Sequence, residues 1–335
     1  MNNAIRISAI IPAYNAESFL RRSLDSALSQ TLRPAEIIVV DDGSTDRTAE
    51  IVKSYGEAVN YIYQENGGGA AALNAGIAAG EGPWVAILDA DDEWRPRHLE
   101  NAVRVLGSHH ELSWYGAPVN RYDHKDGSVL FEYTRKGRGT LVDKTYFADY
   151  LSACPPEGFF AQPTMVLHKR VFEAVGLFDT TKRTGYDLNM WFRIGLQFPK
   201  IGYCYEAGTN VYKREDSVSR TTIMDFRKTL AFWKELEDLA IELGQEERTR
   251  AEPKIMYRIL LLLRGCINSG DLQGIRAVSD TYDKRLPPKW RLLARFYVTV
   301  PWAIKGGRLA RGAFRKACRF LRGRIAAKER SAACR

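Results

Sequence analysis

Trp84-Val85-Ala86-Ile87-Leu88-Asp89-Ala90-Asp91-Asp92-Glu93-Trp94 is the stretch from which the fold reads outward. The apolar run Trp84 to Leu88 follows Gly82-Pro83 and has the length of a buried strand; three carboxylates come directly after it. Such a strand delivers Asp89, Asp91 and Asp92 to the carboxyl edge of a sheet, which is where open α/β folds bind ligands. Crowded acids repel one another unless a cation or a proton compensates, and all-oxygen donors suit magnesium or manganese. The pattern therefore points to a divalent cation and a diphosphate. The competing reading makes Asp91 or Asp92 a cap for a helix starting near Pro96.

Around this strand, from Ile5 to Leu106, strand-like and helix-like stretches alternate. They run Ile7 to Ile11 then Glu17 to Ser29, Glu36 to Val40 then Asp46 to Tyr55, Val59 to Gln64 then Ala70 to Ala79, and Trp84 to Leu88 then Pro96 to Leu106. The βαβα rhythm predicts an α/β fold with a mainly parallel sheet and helices on both faces. Between Ser113 and Thr140 the turn signal Lys125-Asp126-Gly127 predicts hairpin strands. Helices are predicted at Val142 to Leu151, Lys169 to Val175 and Leu188 to Phe198, and a strand at Ile201 to Glu206. Beyond Thr221 all reads as helix, with apolar faces at Leu230, Phe232, Trp233 and Leu236 and at Ile255, Ile259, Leu262 and Leu263.

With 335 residues the chain can bury a large core. Its net charge of +9 is uneven: Arg291 to Arg335 holds thirteen Lys or Arg against Glu329 alone, so the remainder is near −3. The five cysteines are widely spaced, with no CxxC or Cys/His pattern, which argues against a disulfide framework or a zinc site. No charged-then-apolar leader opens the sequence and no long apolar span interrupts it, so a cytoplasmic chain is expected.

Two further motifs belong to the same predicted edge. Ile10-Ile11-Pro12-Ala13-Tyr14-Asn15 ends the first strand, and Val39-Val40-Asp41-Asp42-Gly43-Ser44-Thr45 ends the second. Asp42 can accept a hydrogen bond from a nucleobase N–H, and Gly43 gives the backbone room to turn; a plain turn with Ser44 or Thr45 as helix cap is the bland alternative. The third strand leads into Asn66-Gly67-Gly68-Gly69, a glycine loop whose backbone N–H groups could approach a phosphate. Gly67, Gly69 and Ala72 also match the GxGxxA spacing of a dinucleotide fold, with Asp89 near the place of a ribose-binding acid. That match keeps an NAD(P)-dependent oxidoreductase as an alternative, although there the loop belongs after the first strand.

Taken together, these stretches resemble family 2 glycosyltransferases of the GT-A fold. The matching text is Ser8 to Thr31, Glu36 to Val52, Gln64 to Gly76 and Val85 to Trp94, with weaker matches at Val175 to Ile194 and Tyr212 to Arg220. The resemblance implies a Rossmann-like GT-A domain over 1–220, with a nucleotide-sugar half to about 110 and an acceptor half from about 111. A helical C-terminal region follows over 221–335. It implies nucleotide contacts at Pro12, Ala13, Tyr14, Asn15, Asp41, Asp42, Asn66, Gly67, Gly68, Asn74, Asp89 and Ala90. Asp89 and Asp91 would be the DxD pair, Asp91 the direct ligand of manganese or magnesium and Asp89 nearer the ribose. Asp187 corresponds to the base that deprotonates an acceptor hydroxyl in a single inverting displacement. The donor so implied is a nucleotide sugar, UDP-linked for preference, and the acceptor a lipid-linked or saccharide hydroxyl in surface polysaccharide or glycolipid synthesis.

The sequence departs from the family in three places. Tyr186-Asp187 replaces the usual Glu-Asp pair, Leu73 stands where arginine is common, and Glu215 lies near a frequent histidine. The first keeps open a non-catalytic sugar-nucleotide or membrane-binding protein, and a helix N-cap is the other reading of Asp187. From Trp290 to Arg324 aromatic and aliphatic residues interleave with the cations, the pattern of a segment lying on an anionic membrane surface. A peripheral position on the inner face of the cell membrane is expected. No nucleic-acid partner is expected, and a homodimer through the helical region is left open.

Overall fold

The computed structural model describes residues 5–133, 144–153, 160–214 and 225–299. Two compact units divide the chain, Met1–Ile223 and Met224–Arg335. The first unit begins with β1 (Ile7–Ala13), α1 (Leu20–Leu28), β2 (Glu36–Asp41), α2 (Thr48–Lys53), β3 (Asn60–Tyr63), α3 (Gly69–Ala79) and β4 (Trp84–Ile87). After these come β5 (Glu93–Trp94), α4 (His98–Ser108), β6 (Trp114–Gly116), β7 (Val119–Asp123), β8 (Val129–Phe131), β9 (Tyr146–Phe147) and α5 (Tyr150–Ala153). The unit closes with β10 (Val166–His168), α6 (Arg170–Val175), α7 (Tyr186–Gln197), β11 (Ile201–Tyr203) and β12 (Thr209–Lys213).

The large sheet has the order β3-β2-β1-β4-β10-β6-β11-β9. Its first four strands are parallel, as the alternating text predicts; β10 runs antiparallel between β4 and β6. Alternation along β1 assigns the faces. Ile7, Ala9 and Ile11 pack with Leu20 and Leu24 of α1, Val52 of α2 and Leu99 and Val105 of α4, whereas Ile38, Val40 and Ala72 form the opposite layer under α3. Gly76 lets α3 sit close, since a Cβ there would lie 2.4 Å from Ile10 Cγ2. A second sheet, β5-β12-β7-β8, stands beside the acidic stretch.

Two sequence expectations change. The helix expected at Val142 to Leu151 is replaced, within the described residues, by β9 and the short α5. Tyr146 is exposed and Phe147 buried, and pairing antiparallel with β11 makes them a short strand at the edge of the sheet. The strand expected to reach Glu206 stops at Tyr203. The hairpin around Lys125-Asp126-Gly127 is β7-β8, and the rest of that expected stretch, 134–140, lies outside the described residues.

The second unit contains α8 (Phe226–Leu243), α9 (Gln245–Ser269), α10 (Leu272–Tyr282) and α11 (Pro288–Thr299). Asp225 caps α8 by accepting from the Arg227 N–H, and Asp271 caps α10 through Gly274. Trp233, Leu236, Ile255, Ile259, Leu263 and Val278 form its core. Arg285 pairs with Glu237 and Glu252, while the Tyr282 hydroxyl donates to Glu237 at 2.9 Å. Most of the basic tail, 300–335, lies outside the described residues, and among those described no helix is long and apolar enough to cross a membrane.

Candidate active site

Parallel pairing brings the carboxyl ends of β1 to β4 to one edge, and local hydrogen bonds then fix the loops. The Ala13 carbonyl accepts from the Asp42 N–H at 2.8 Å. Asn15, in the left-handed region at φ 47°, donates its N–H to Ser44 Oγ and accepts from the Thr45 N–H through Oδ1, tying two loops together. Ser44 is thus a tie between loops; it is Asp46 that accepts from the Thr48 N–H at the start of α2. Asp41 is buried and points inward, accepting from the Ser44 N–H and the Tyr61 hydroxyl. Pro12 is half-buried beside it, whereas Tyr14 is 53% exposed and offers a flat aromatic face.

Asp42 organises the glycine loop. Its Oδ1 accepts from the Gly67 N–H at 2.8 Å and from Gln64 Nε2 at 2.7 Å, and its Oδ2 accepts from the Gly68 N–H at 2.8 Å. This corrects the expectation of phosphate-facing amides: those two donors face a carboxylate of the protein itself. A carboxylate has about four lone-pair positions, so Asp42 retains roughly one for a ligand. The side chain of Asn66 returns to the Asp42 carbonyl at 2.9 Å. Asn74 is also turned inward, exchanging two hydrogen bonds with the Phe178 backbone and bracing α3 against the segment that leads to α7. The glycine spacing that mimics a dinucleotide loop therefore serves a turn held by Asp42 at the end of the outermost parallel strand.

The acidic stretch leaves β4 as expected, with Ala90 buried between its carboxylates. Asp89 Oδ1 accepts from Gln162 Nε2 at 2.6 Å. Asp91 pairs with Arg214 at 3.4 Å, and its carbonyl accepts from Arg22 Nη2 at 2.7 Å. Asp92 is buried and accepts from the Tyr212 N–H at 3.1 Å. None of the three caps α4, whose N-cap position is Arg97 with no side-chain bond. Burial, then the Asp91 charge, pushes the Asp89 carboxyl up to about 7; Asp187 adds to the push, and Gln162 and Lys213 oppose it. Burial, then the charges of Asp91 and Asp89, raises Asp92 as well. Such concentrated negative charge is what a divalent cation relieves, and the carboxylate oxygens of Asp89 and Asp91 fit a hard ion. Among the described residues no three acid, His or Cys side chains converge as a ready cage, so ligand or water oxygens would complete the coordination.

Gly185, at φ 74°, turns the chain into α7. Asp187 lies in the first turn of that helix and not at its N-cap, where the helix dipole favours a carboxylate. The Tyr186 hydroxyl reaches the glycine loop: a Cβ on Gly69 would lie 2.7 Å from it. Burial raises the Tyr186 hydroxyl, and the charges of Asp89 and Asp187 push the same way. Asp89, Asp91, Asp187, Tyr186 and Gln162 thus form one electrostatic cluster. A cleft of about 320 Å³ runs between Asn66 to Gly68 with Ala70 on one side and Thr180, Lys182 and Arg183 on the other. Sequence reading missed Gln162, which stands in no periodic pattern, and Arg22, whose guanidinium lies 3.5 Å over the Tyr212 ring. Arg214 was visible only as part of the weak terminal match.

Comparison with known proteins bears on the family and the fold. An uncharacterized glycosyltransferase of Rickettsia typhi is 28% identical over 243 residues, covering 68% of this chain and 70% of the relative. One from Rickettsia prowazekii is 31% identical over 204 residues, covering 56% and 58%. Among solved structures, the crystal structure of Staphylococcus aureus TarS in complex with UDP-GlcNAc superposes with a TM-score of 0.70 at 18% identity, covering 93% of this chain and 92% of that one. The family model described as glycosyl transferase family 2 matches residues 8–176, half of the chain. The glycosyltransferase match sets the oxidoreductase alternative aside, and the chain belongs to glycosyl transferase family 2 and is a transferase.

Proposed function

We propose that this enzyme transfers a sugar from a nucleoside-diphosphate donor, a UDP-sugar for preference, to a hydroxyl of a lipid-linked or saccharide acceptor with inversion. The observation that carries the reading is the meeting of Asp187, from the first turn of α7, with Asp89 and Asp91 at the end of β4. The UDP-GlcNAc held by the structurally similar TarS supports the choice of donor. Tyr14, Pro12 and the remaining acceptor position of Asp42 receive the base and ribose. A manganese or magnesium ion held by Asp89 and Asp91 would neutralise the diphosphate as leaving group. Asp187 orients the acceptor hydroxyl and takes its proton, which requires an approach of about 3 Å. Tyr186, braced on Gly69 and the Phe178 ring, fixes the direction of that carboxylate. The cationic tail brings the enzyme to the anionic inner face of the membrane, where a lipid-linked acceptor in surface polysaccharide or glycolipid synthesis would be met.

The test is calorimetry of UDP-GlcNAc with and without manganese, paired with transfer or hydrolysis assays on Asp187→Asn. The variant is expected to bind the donor as the wild type does while kcat falls by about 10²–10⁴-fold. Unchanged turnover in Asp187→Asn would remove it as the base.

A further inference from the structure

Gln162 has two ends, and the structure uses one. The segment that carries it is held firmly: the Pro163 carbonyl accepts from the Trp94 indole N–H at 2.7 Å and from the Thr209 hydroxyl at 2.9 Å, and the Ile87 N–H donates to the Met165 carbonyl at 3.1 Å. From this mount the Gln162 amide donates to Asp89 Oδ1 at 2.6 Å. A carboxylate accepts hydrogen bonds, so it selects the NH₂ end of the amide and turns the carbonyl the other way. That carbonyl oxygen is buried without a hydrogen-bond partner, in a side chain only 8% exposed. A buried acceptor left unmade is a standing cost, and native structures keep few of them. Here the orphan sits within the cluster of Asp89, Tyr186 and Asp187.

We infer that Gln162 is a specificity-determining residue whose carbonyl oxygen accepts a hydrogen bond from a hydroxyl of the bound nucleotide sugar while its NH₂ group holds Asp89. The inference rests on the nucleotide-sugar reading of the site and deepens it. Only a ligand that brings a donor satisfies this oxygen, and hydroxyls are the donors that every nucleotide sugar carries; a phosphate oxygen, itself an acceptor, does not. The hydroxyl belongs either to the transferred sugar or to the ribose. A site built to hydrogen-bond a substrate hydroxyl discriminates strongly against an analogue lacking it, because the protein group is then buried unpaired.

The test uses the full chain with manganese and three ligands: UDP-GlcNAc, UDP, and 2′,3′-dideoxyuridine diphosphate. Gln162→Leu removes both ends of the amide at similar volume. A hydroxyl on the sugar predicts that Gln162→Leu weakens UDP-GlcNAc by about tenfold or more and leaves UDP unchanged. A ribose hydroxyl predicts an equal loss on both, matched by the loss of the wild type on the dideoxy ligand, with no further loss when the variant meets that ligand. Gln162→Leu binding all three ligands as the wild type does, or weakening all three alike, overturns the inference and leaves the donor reading standing. A wild type that binds neither UDP nor UDP-GlcNAc overturns that reading and this inference with it.

Discussion

Asp89 carries the clearest consequence of crowding carboxylates at a strand end. Its ordinary value is 3.8, and in the fold it is pushed up to about 7 by burial and by Asp91. A carboxyl raised in this way binds its proton more tightly folded than unfolded, so its contribution favours the fold at low pH and is lost as pH rises between those two values. Without divalent metal, the wild type should therefore lose Tm relative to Asp89→Asn as pH goes from about 5 to about 8. Added manganese should abolish the difference, because the ion replaces the proton. Parallel slopes for the two proteins would show that the charge at Asp89 is already balanced within the chain. At this scale the acids were legible in sequence because their spacing and position after an apolar run are local facts. What Asp42 and Asn74 do was not legible, since their partners lie 25 and 104 residues away.

Elements were legible where period and length agreed. The four βα repeats up to α4 stand within a few residues of their expected limits, because mostly apolar strands alternate with helical stretches bounded by turn residues. Tyr146–Phe147 was misread because two residues cannot display a period; pairing with β11 decides the outcome. In the helical unit the decisive contacts are polar. Glu237 is buried and holds both Arg285 and the Tyr282 hydroxyl, which burial and Glu237 push upward. Removing one partner of a fully buried pair costs about 3–5 kcal/mol, but Arg285 is partly solvated and keeps Glu252, so Glu237→Ala should cost on the order of 2 kcal/mol. Glu252→Ala, at a half-buried position whose side chain reaches solvent, should cost under about 1 kcal/mol. Urea unfolding of both variants checks the order, and equal losses would move the weight to Glu252.

At the scale of the molecule, the parallel half of the sheet followed from the rhythm of the text, while the antiparallel insertion of β10 did not. Nothing local in Val166–His168 distinguishes a strand that joins β4 from one that joins β12; the choice is made by partners more than 50 residues distant. Charge distribution, by contrast, is a whole-chain property readable directly. The cationic tail predicts sedimentation with anionic liposomes that drops when the chain is cut near Lys289 and weakens with salt. Equal sedimentation by the truncated chain would remove the tail from membrane binding.

The placement of β10 also bears on how the protein is made. All four residues of β4 are buried, and one of its two neighbours, β10, is synthesised roughly eighty residues later. At about 5–20 residues per second on the ribosome, that flank waits several seconds for its cover. An unpaired apolar edge is a template for other chains. Nascent protein should thus depend on a chaperone over this interval, and a fragment ending at Ser108 should pellet on expression while one ending at Lys213 stays in the supernatant.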